Sequence, residues 1–352
     1  MQAPAALAAL TFALLGCTSS FPVRAEPVEA PSSSAALTAK VDALAARANL
    51  AGEILIAKGD TILLDEGYGP IAPIGGAPHK AGETWRLASI TKQVVAALIV
   101  RDLERQSFSL DAPVAGLYGQ TGLGALSMRQ LLTHHTGLAN PDDTPAEAGG
   151  MPTYYQHSRP DMGYCFSKAP TPGAPFAYNN CDYIVAALGL IGGNAKRYPW
   201  PAGMRMARPG EKGISGFVGG KAEPRFELDG FSFAGGLIGT ARAVFAFDRQ
   251  LMTGKFLTSS ALAELWKPEG NGSYQALGQW VFPGALKGCA APKRIVQRDG
   301  EIGGVQTRNF ILPDDDLVVI VFSNRSSDDF AFGEVWQQSG FAYDLLSAAA
   351  CP

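Results

Sequence analysis

Ser89-Ile90-Thr91-Lys92 places a hydroxyl and an amine three residues apart, one turn apart on a helix and on the same face. A serine there has the lysine side chain within proton-transfer reach. Residues 93–100, Gln-Val-Val-Ala-Ala-Leu-Ile-Val, are almost wholly apolar, so the helix is expected to run through a core. Burial lowers a lysine pKa by desolvation and makes a neutral amine available as a base near neutral pH. The plainer alternative is an ordinary helix start, with Ser89 as cap and Lys92 as an exposed charge. No other S-x-x-K occurs in the 352 residues, and the single Y-x-N is Tyr178-Asn179-Asn180. A tyrosine hydroxyl beside a cationic lysine is held toward phenolate, or relays the nucleophile's proton to a leaving group. The asparagine can turn its amide to a substrate carbonyl or to the lysine. Against this stands an amphipathic tyrosine and a turn asparagine ahead of a helix at 184–191.

Other chemistry has less support. The four histidines are His79, His134, His135 and His157, and no G-x-S-x-G accompanies them. His134-His135 lacks a carboxylate at metal-ligand spacing. A packing and hydrogen-bonding role at a helix end is expected for His134. No P-loop or dinucleotide fingerprint is present, and neither cofactor nor metal is expected. With 47% hydrophobic residues, 17% charged and a net charge of −3, the chain has no basic patch for nucleic acid or membrane.

With these motifs in place, the chain resembles the class C β-lactamase, DD-peptidase and esterase superfamily of serine hydrolases. Residues 84–92 are similar to its nucleophile segment, and Leu110-Asp111-Ala112-Pro113-Val114 to its "L-D-x-P-V" turn. Residues 131–138 are similar to "L-L-T-H-T-S-G-L", and 234–241 to "A-G-G-L-x-S-T-A". The likeness runs from about residue 36 to about residue 325, with 139–175 matching poorly; substrate choice is expected to lie there. The family carries Lys or His, a small residue and Gly on a strand beside the nucleophile. The segment aligned with it is Gly300-Glu301-Ile302-Gly303-Gly304, which puts Glu301 where a cation is expected. A carboxylate there repels an acidic substrate and disfavours efficient β-lactam hydrolysis. Arg298 and Arg308 lie close enough in sequence to neutralise it. The resemblance implies Ser89 as nucleophile, Lys92 and Tyr178 as base and acid, and Asn180 orienting the acyl side chain. It further implies an oxyanion hole from the Ser89 and Gly304 amides, with Gly303 and Gly304 allowing close approach of the acyl group. The competing reading is a degenerate, non-catalytic homologue that binds wall peptides or a protein partner; Glu301 is its only support.

The elements that must position these residues follow from pattern. Leu37, Val41, Leu44 and Ala48 mark an amphipathic first helix, and 53–57 with 61–65 a hairpin. Residues 241–253 read as helix; 279–282, 294–297, 309–312 and 316–322 as strands; 333–350 as a closing helix. The implied fold is α/β: an antiparallel sheet built from both chain ends and flanked by helices, with an α-rich inserted subdomain. Its body comprises 35–112 plus 230–352, its insertion 113–229, and 26–34 is a flexible leader. Residues 5–15 are apolar but too short to span a bilayer, and read as a secretory signal. Cleavage after Ala25 releases a soluble protein; cleavage before Cys17 leaves a lipoprotein. The chain is thus expected in the periplasm or secreted, with a small-molecule or peptide substrate, no nucleic acid, no membrane span and a monomeric state. Cys165, Cys181, Cys289 and Cys351 allow three pairings. Cys165–Cys181 with Cys289–Cys351 is the pairing that braces the Tyr178 motif and pins the C-terminus.

Overall fold

The computed structural model describes residues 33–115, 123–146, 150–191 and 198–351. The signal segment, both cleavage sites and Cys17 lie outside the described residues. A seven-stranded antiparallel sheet has the order β2-β1-β12-β11-β10-β9-β8. Its hairpin β1 (Gly52–Lys58) and β2 (Thr61–Tyr68) comes from the start of the chain. The others come from the end: β8 (Gln275–Ala276), β9 (Gln279–Gly284), β10 (Lys293–Ile302), β11 (Val305–Leu312) and β12 (Leu317–Ser323). The two ends meet where β1 pairs with β12, from Gly52↔Ser323 to Lys58↔Leu317.

Strand β12 shows why the sheet needs a layer on each face. It is buried throughout, and successive side chains point to opposite faces. Leu317, Val319 and Val321 join one core with the terminal helices α1 (Ser33–Ala48) and α9 (Phe341–Ala350). Val318, Ile320 and Phe322 join the other, with α2 (Ile90–Arg105), α7 (Ala241–Met252) and α8 (Ser259–Leu265). The closing helix is shorter than expected from sequence. Residues 333–340 form a single 3-10 turn at Val335–Gln337, and Gly340, at φ +93°, precedes the first helical residue.

Between the sheet's two halves the chain makes α3 (Met128–Leu132), α4 (Met162–Cys165) and α5 (Asn180–Ile191). Among the described residues the rest of 113–229 is mainly 3-10 turns, loops and the two-residue strands β4 (Arg205–Met206), β5 (Phe217–Val218) and β6 (Lys221–Ala222), so it is less helical than its sequence suggested. The disulfides are Cys165–Cys181 and Cys289–Cys351, with Cα separations of 5.5 and 5.2 Å. The first ties α4 to the opening turn of α5; the second ties the end of α9 to the loop before β10. Three short elements complete the site's surroundings: β3 (Trp85–Arg86), the strand β7 (Leu237–Gly239) that pairs with it, and α6 (Ser232–Gly235).

Candidate active site

Ser89 caps α2 by position only. Its backbone is helical and its side chain makes no cap bond, which leaves the hydroxyl for other partners. Ala88 just before it holds φ +46°, a conformation rarely adopted by a residue with a side chain. This elbow carries the chain from β3 into the helix and presents Ser89, itself half-buried, at the rim of the core. Tyr178 Oη lies 2.7 Å from the Ser89 hydroxyl. Lys92 Nζ donates to that hydroxyl at 3.2 Å, to Asn180 Oδ1 at 2.6 Å and to the Ala234 carbonyl at 2.7 Å. Lys92 is fully buried, which excludes the exposed-charge alternative.

Burial pushes the Lys92 ammonium down to about 8, against the pull of the nearby Tyr178 oxygen. For Tyr178 burial acts the other way, raising the hydroxyl. The Lys92 and Arg298 charges outweigh it and hold the tyrosine below its ordinary value. Arg298 was set aside in the sequence as a neutraliser of Glu301, yet it is a fourth member of this group. Its Nη2 donates to Tyr178 Oη at 2.8 Å and its Nε to the Ser89 carbonyl at 2.9 Å. Arg298 is only 1% exposed, so its charge is spent on the network rather than offered outward.

The geometry corrects the assignment of the strand motif. Ser89 is met by Arg298-Asp299-Gly300, three residues before the segment aligned from sequence. A Cβ on Gly300 would lie 2.6 Å from the Ser89 nitrogen and 2.9 Å from the Ala88 Cβ, so only glycine fits this approach. Glu301 is one residue further along β10 and its side chain takes the opposite face. Its carboxylate accepts from the Ser327 N–H and hydroxyl, both at 2.9 Å, at the surface. Neither arginine neutralises it: Arg308 pairs with Asp299 at 3.3 Å. Gly303 and Gly304 form the β10–β11 turn, where Gly303 needs its φ of +57°. The Gly304 N–H donates to Glu223 at 2.9 Å, and Glu223 is in turn paired with buried Arg86 at 2.7 Å. Gly304 therefore has no amide to give a substrate.

Asn180 is also redirected. It lies in the first turn of α5, which begins four residues earlier than the sequence pattern indicated. Its Oδ1 takes the Lys92 proton bond, and its Nδ2 donates to Tyr155 Oη at 2.7 Å and toward Asp142 at 3.3 Å. Of the two partners considered for this amide, the lysine is the one it meets. Tyr155 Oη donates to Asp142 Oδ1 at 2.6 Å, while its ring stacks on Phe231 with centroids 3.7 Å apart. Tyr155 and exposed Asp142 come from the poorly matching 139–175 stretch, and no sequence motif marked either. The one available hint was chemical: a buried tyrosine hydroxyl must find a partner.

His134 supports the site from behind. Its ring lies 4.7 Å from that of Tyr178, and its Nδ1 accepts from the Asn179 N–H at 3.3 Å and faces Asp182 at 3.0 Å. Burial drives the imidazole well below its usual range and the Asp182 carboxyl well above it. This packing and hydrogen bonding is the helix-end role expected for it.

The β-lactamase family model matches residues 37–340. The chain belongs to the β-lactamase family. A comparison with curated proteins gives no match. Among solved structures, D-amino acid amidase from Ochrobactrum anthropi SV3, complexed with L-phenylalanine amide, superposes with a TM-score of 0.68 at 16% identity. That alignment covers 90% of this chain and 98% of the amidase. Class C β-lactamase from Rhodobacter sphaeroides gives 0.64 at 20% identity, over 89% and 98% of the two chains. A penicillin-binding protein from Bacillus halodurans gives 0.64 at 18%, over 88% and 98%. The fold is thus the β-lactamase/transpeptidase one, in a family of serine hydrolases that includes amidases, DD-peptidases and β-lactamases.

Proposed function

We propose that this chain is an exported serine hydrolase that cleaves uncharged or amine-bearing carboxylic esters or amides through an acyl-enzyme on Ser89. The observation that carries the reading is the Ser89 hydroxyl itself. It caps nothing, and it sits between Tyr178 Oη and a buried Lys92 whose pKa is pushed down to about 8. Ser89 Oγ bonds to the substrate carbonyl carbon as its proton passes into the Lys92–Tyr178 pair. The carbon then releases its oxygen or nitrogen leaving group, which takes that proton from Tyr178. Water attacks the ester on Ser89 in the reverse sense and frees the acid.

The oxyanion falls to the Ser89 amide and an amide of β10. In a two-residue hairpin the flanking pair, here Ile302 and Val305, exchanges both its hydrogen bonds. Alternation then turns the Glu301 N–H away from β11, to the edge that runs beside Ser89. Pairing with β9 on that edge ends at Gln297↔Trp280, which leaves the amide free. The backbone of Glu301 thus takes the part assigned from sequence to Gly304.

Arg298 supplies a cation to Tyr178 but, being buried, shows no guanidinium face to a substrate carboxylate. This favours neutral over anionic substrates, the preference first inferred from Glu301. The non-catalytic alternative loses its one support, because the Glu301 side chain is turned away. Two disulfides favour an oxidising compartment.

Ser89→Ala should abolish both turnover of a short-chain chromogenic ester and labelling by a fluorophosphonate, read by intact mass. Lys92→Ala should cut kcat nearly as far with little change in KM. Turnover by Ser89→Ala near the wild-type rate refutes the assignment.

A further inference from the structure

Among the described residues five large apolar side chains are more than a third exposed, and three of them converge on one cleft. Phe176, Tyr274 and Trp336 are 48%, 42% and 39% exposed. Trp280, Ser273 and Gln275 complete the walls around about 280 Å³. Apolar side chains gathered in this way mark a binding surface, whereas single ones do not. Trp336 meets the rings of Trp280 and Phe282 edge-on, at 6.4 and 5.5 Å, so its side chain is braced.

The cleft adjoins the partners of Ser89 on one particular side. Its inner wall, Trp280, has the Arg298 guanidinium 4.9 Å from its ring centroid, and the same guanidinium donates to Tyr178 Oη. Phe176, on the other wall, lies two residues before Tyr178 and packs edge-on to His134 at 5.9 Å. The Asn180–Tyr155–Asp142 chain contributes nothing to it.

We propose that this cleft receives the leaving group, and that the natural substrate is an ester or amide whose leaving group carries an aromatic ring. The proposal rests on the hydrolase reading of Ser89 given above. Tyr178 hands its proton to the leaving atom, so that atom sits within hydrogen-bond reach of Tyr178 Oη. A substituent on it then runs past Trp280 into the cleft. An apolar cavity of about 150 Å³ holds benzene, so this one admits a benzyl group and a fused ring pair as well. For a benzyl ester, the bond from the Ser89 oxygen to the acyl carbon forms and the bond from that acyl carbon to the benzyloxy oxygen breaks. The serine proton ends on benzyl alcohol.

The test compares ethyl, benzyl and 2-naphthylmethyl acetates, which share one acyl group, with methyl acetate and methyl phenylacetate, in which the ring moves to the acyl side. A single methylene in an apolar pocket is worth roughly 10–200-fold in specificity, so the benzyl-to-ethyl ratio of kcat/KM should be at least about tenfold. Trp336→Ala, with Tyr274→Ala as a second variant, should reduce that ratio toward one. Ile74→Ala, exposed elsewhere, should keep it. A ratio near one with Ser89-dependent turnover intact overturns the cleft assignment alone. So does a larger gain from phenylacetate than from benzyl. Absence of Ser89-dependent turnover on every ester overturns the hydrolase reading and this proposal with it.

Discussion

Replacing Arg298 by Gln removes the charge that contacts both the Tyr178 hydroxyl and the Ser89 carbonyl. Unit charges about 4 Å apart at an effective dielectric of about 20 interact by about 4 kcal/mol. At 1.36 kcal/mol per pKa unit this corresponds to about three units. Ser89 and Tyr178 are partly open to solvent, and screening brings the expected effect to about one to two units. The sign follows from the direction of each shift. Arg298 lowers both Tyr178 and Lys92, so losing it raises both. The reactive form has already given up a proton from the Lys92–Tyr178 pair, whichever of the two holds the other. The acidic limb of the kcat/KM profile should therefore move to higher pH by about one to two units, with a fall of about 10–100-fold at pH 7. The profile is measured with a chromogenic acetate from pH 5.5 to 9. Arg308→Gln serves as control, since Arg308 pairs with Asp299. Arg298→Lys should restore part of the shift, because it returns the charge without the forked contact. A lower rate with an unmoved limb refutes the electrostatic argument and reduces Arg298 to a positioning contact.

Removing the Cys165–Cys181 bridge as a double alanine variant should cost about 3 kcal/mol, the chain-entropy value for a loop near its 16-residue span. It should also loosen α5, so a drop in denaturant midpoint accompanied by a drop in kcat is expected; unchanged stability counts against the brace. Glu53 gives a pH dependence of the opposite sense to an ordinary ion-paired carboxylate. Burial raises it to about 7 even though Gly82 N–H and Trp85 Nε1 donate to it, so the folded state holds this proton more tightly than the unfolded chain does. Its contribution is present below about pH 4.5 and is lost as pH rises through about 7. The Tm difference between Glu53→Gln and wild type should consequently shift in the variant's favour from pH 5 to pH 8.5, and a difference independent of pH rules this out.

How far the sequence could be read depended on the kind of element that carries each residue. The Ser89–Lys92–Tyr178 contact and six of the seven strands of the main sheet were recoverable because apolar periodicity and two short motifs specify them locally. Tyr155 and Asp142 were not, since their roles come from a loop-rich stretch folding back onto Asn180, a contact that no local pattern encodes. The strand beside Ser89 failed for a different reason. Gly300 and Gly303 are both required glycines, one because a Cβ would strike the Ser89 nitrogen, the other because a tight turn needs positive φ. In sequence they offer the same letter, and anchoring on the second displaced the motif by three residues. On a helix a three-residue displacement turns a side chain by about 300° and leaves it near its starting face. On a strand any odd displacement reverses it. A carboxylate bonded to Ser327 at the surface was thereby placed against Ser89, and the arginine that lies there was read only as its neutraliser. The penalty for misplacing a motif is thus set by the element's period as much as by the size of the slip. For a site whose charge comes from a strand, the parity of the alignment decides even the sign of the predicted field.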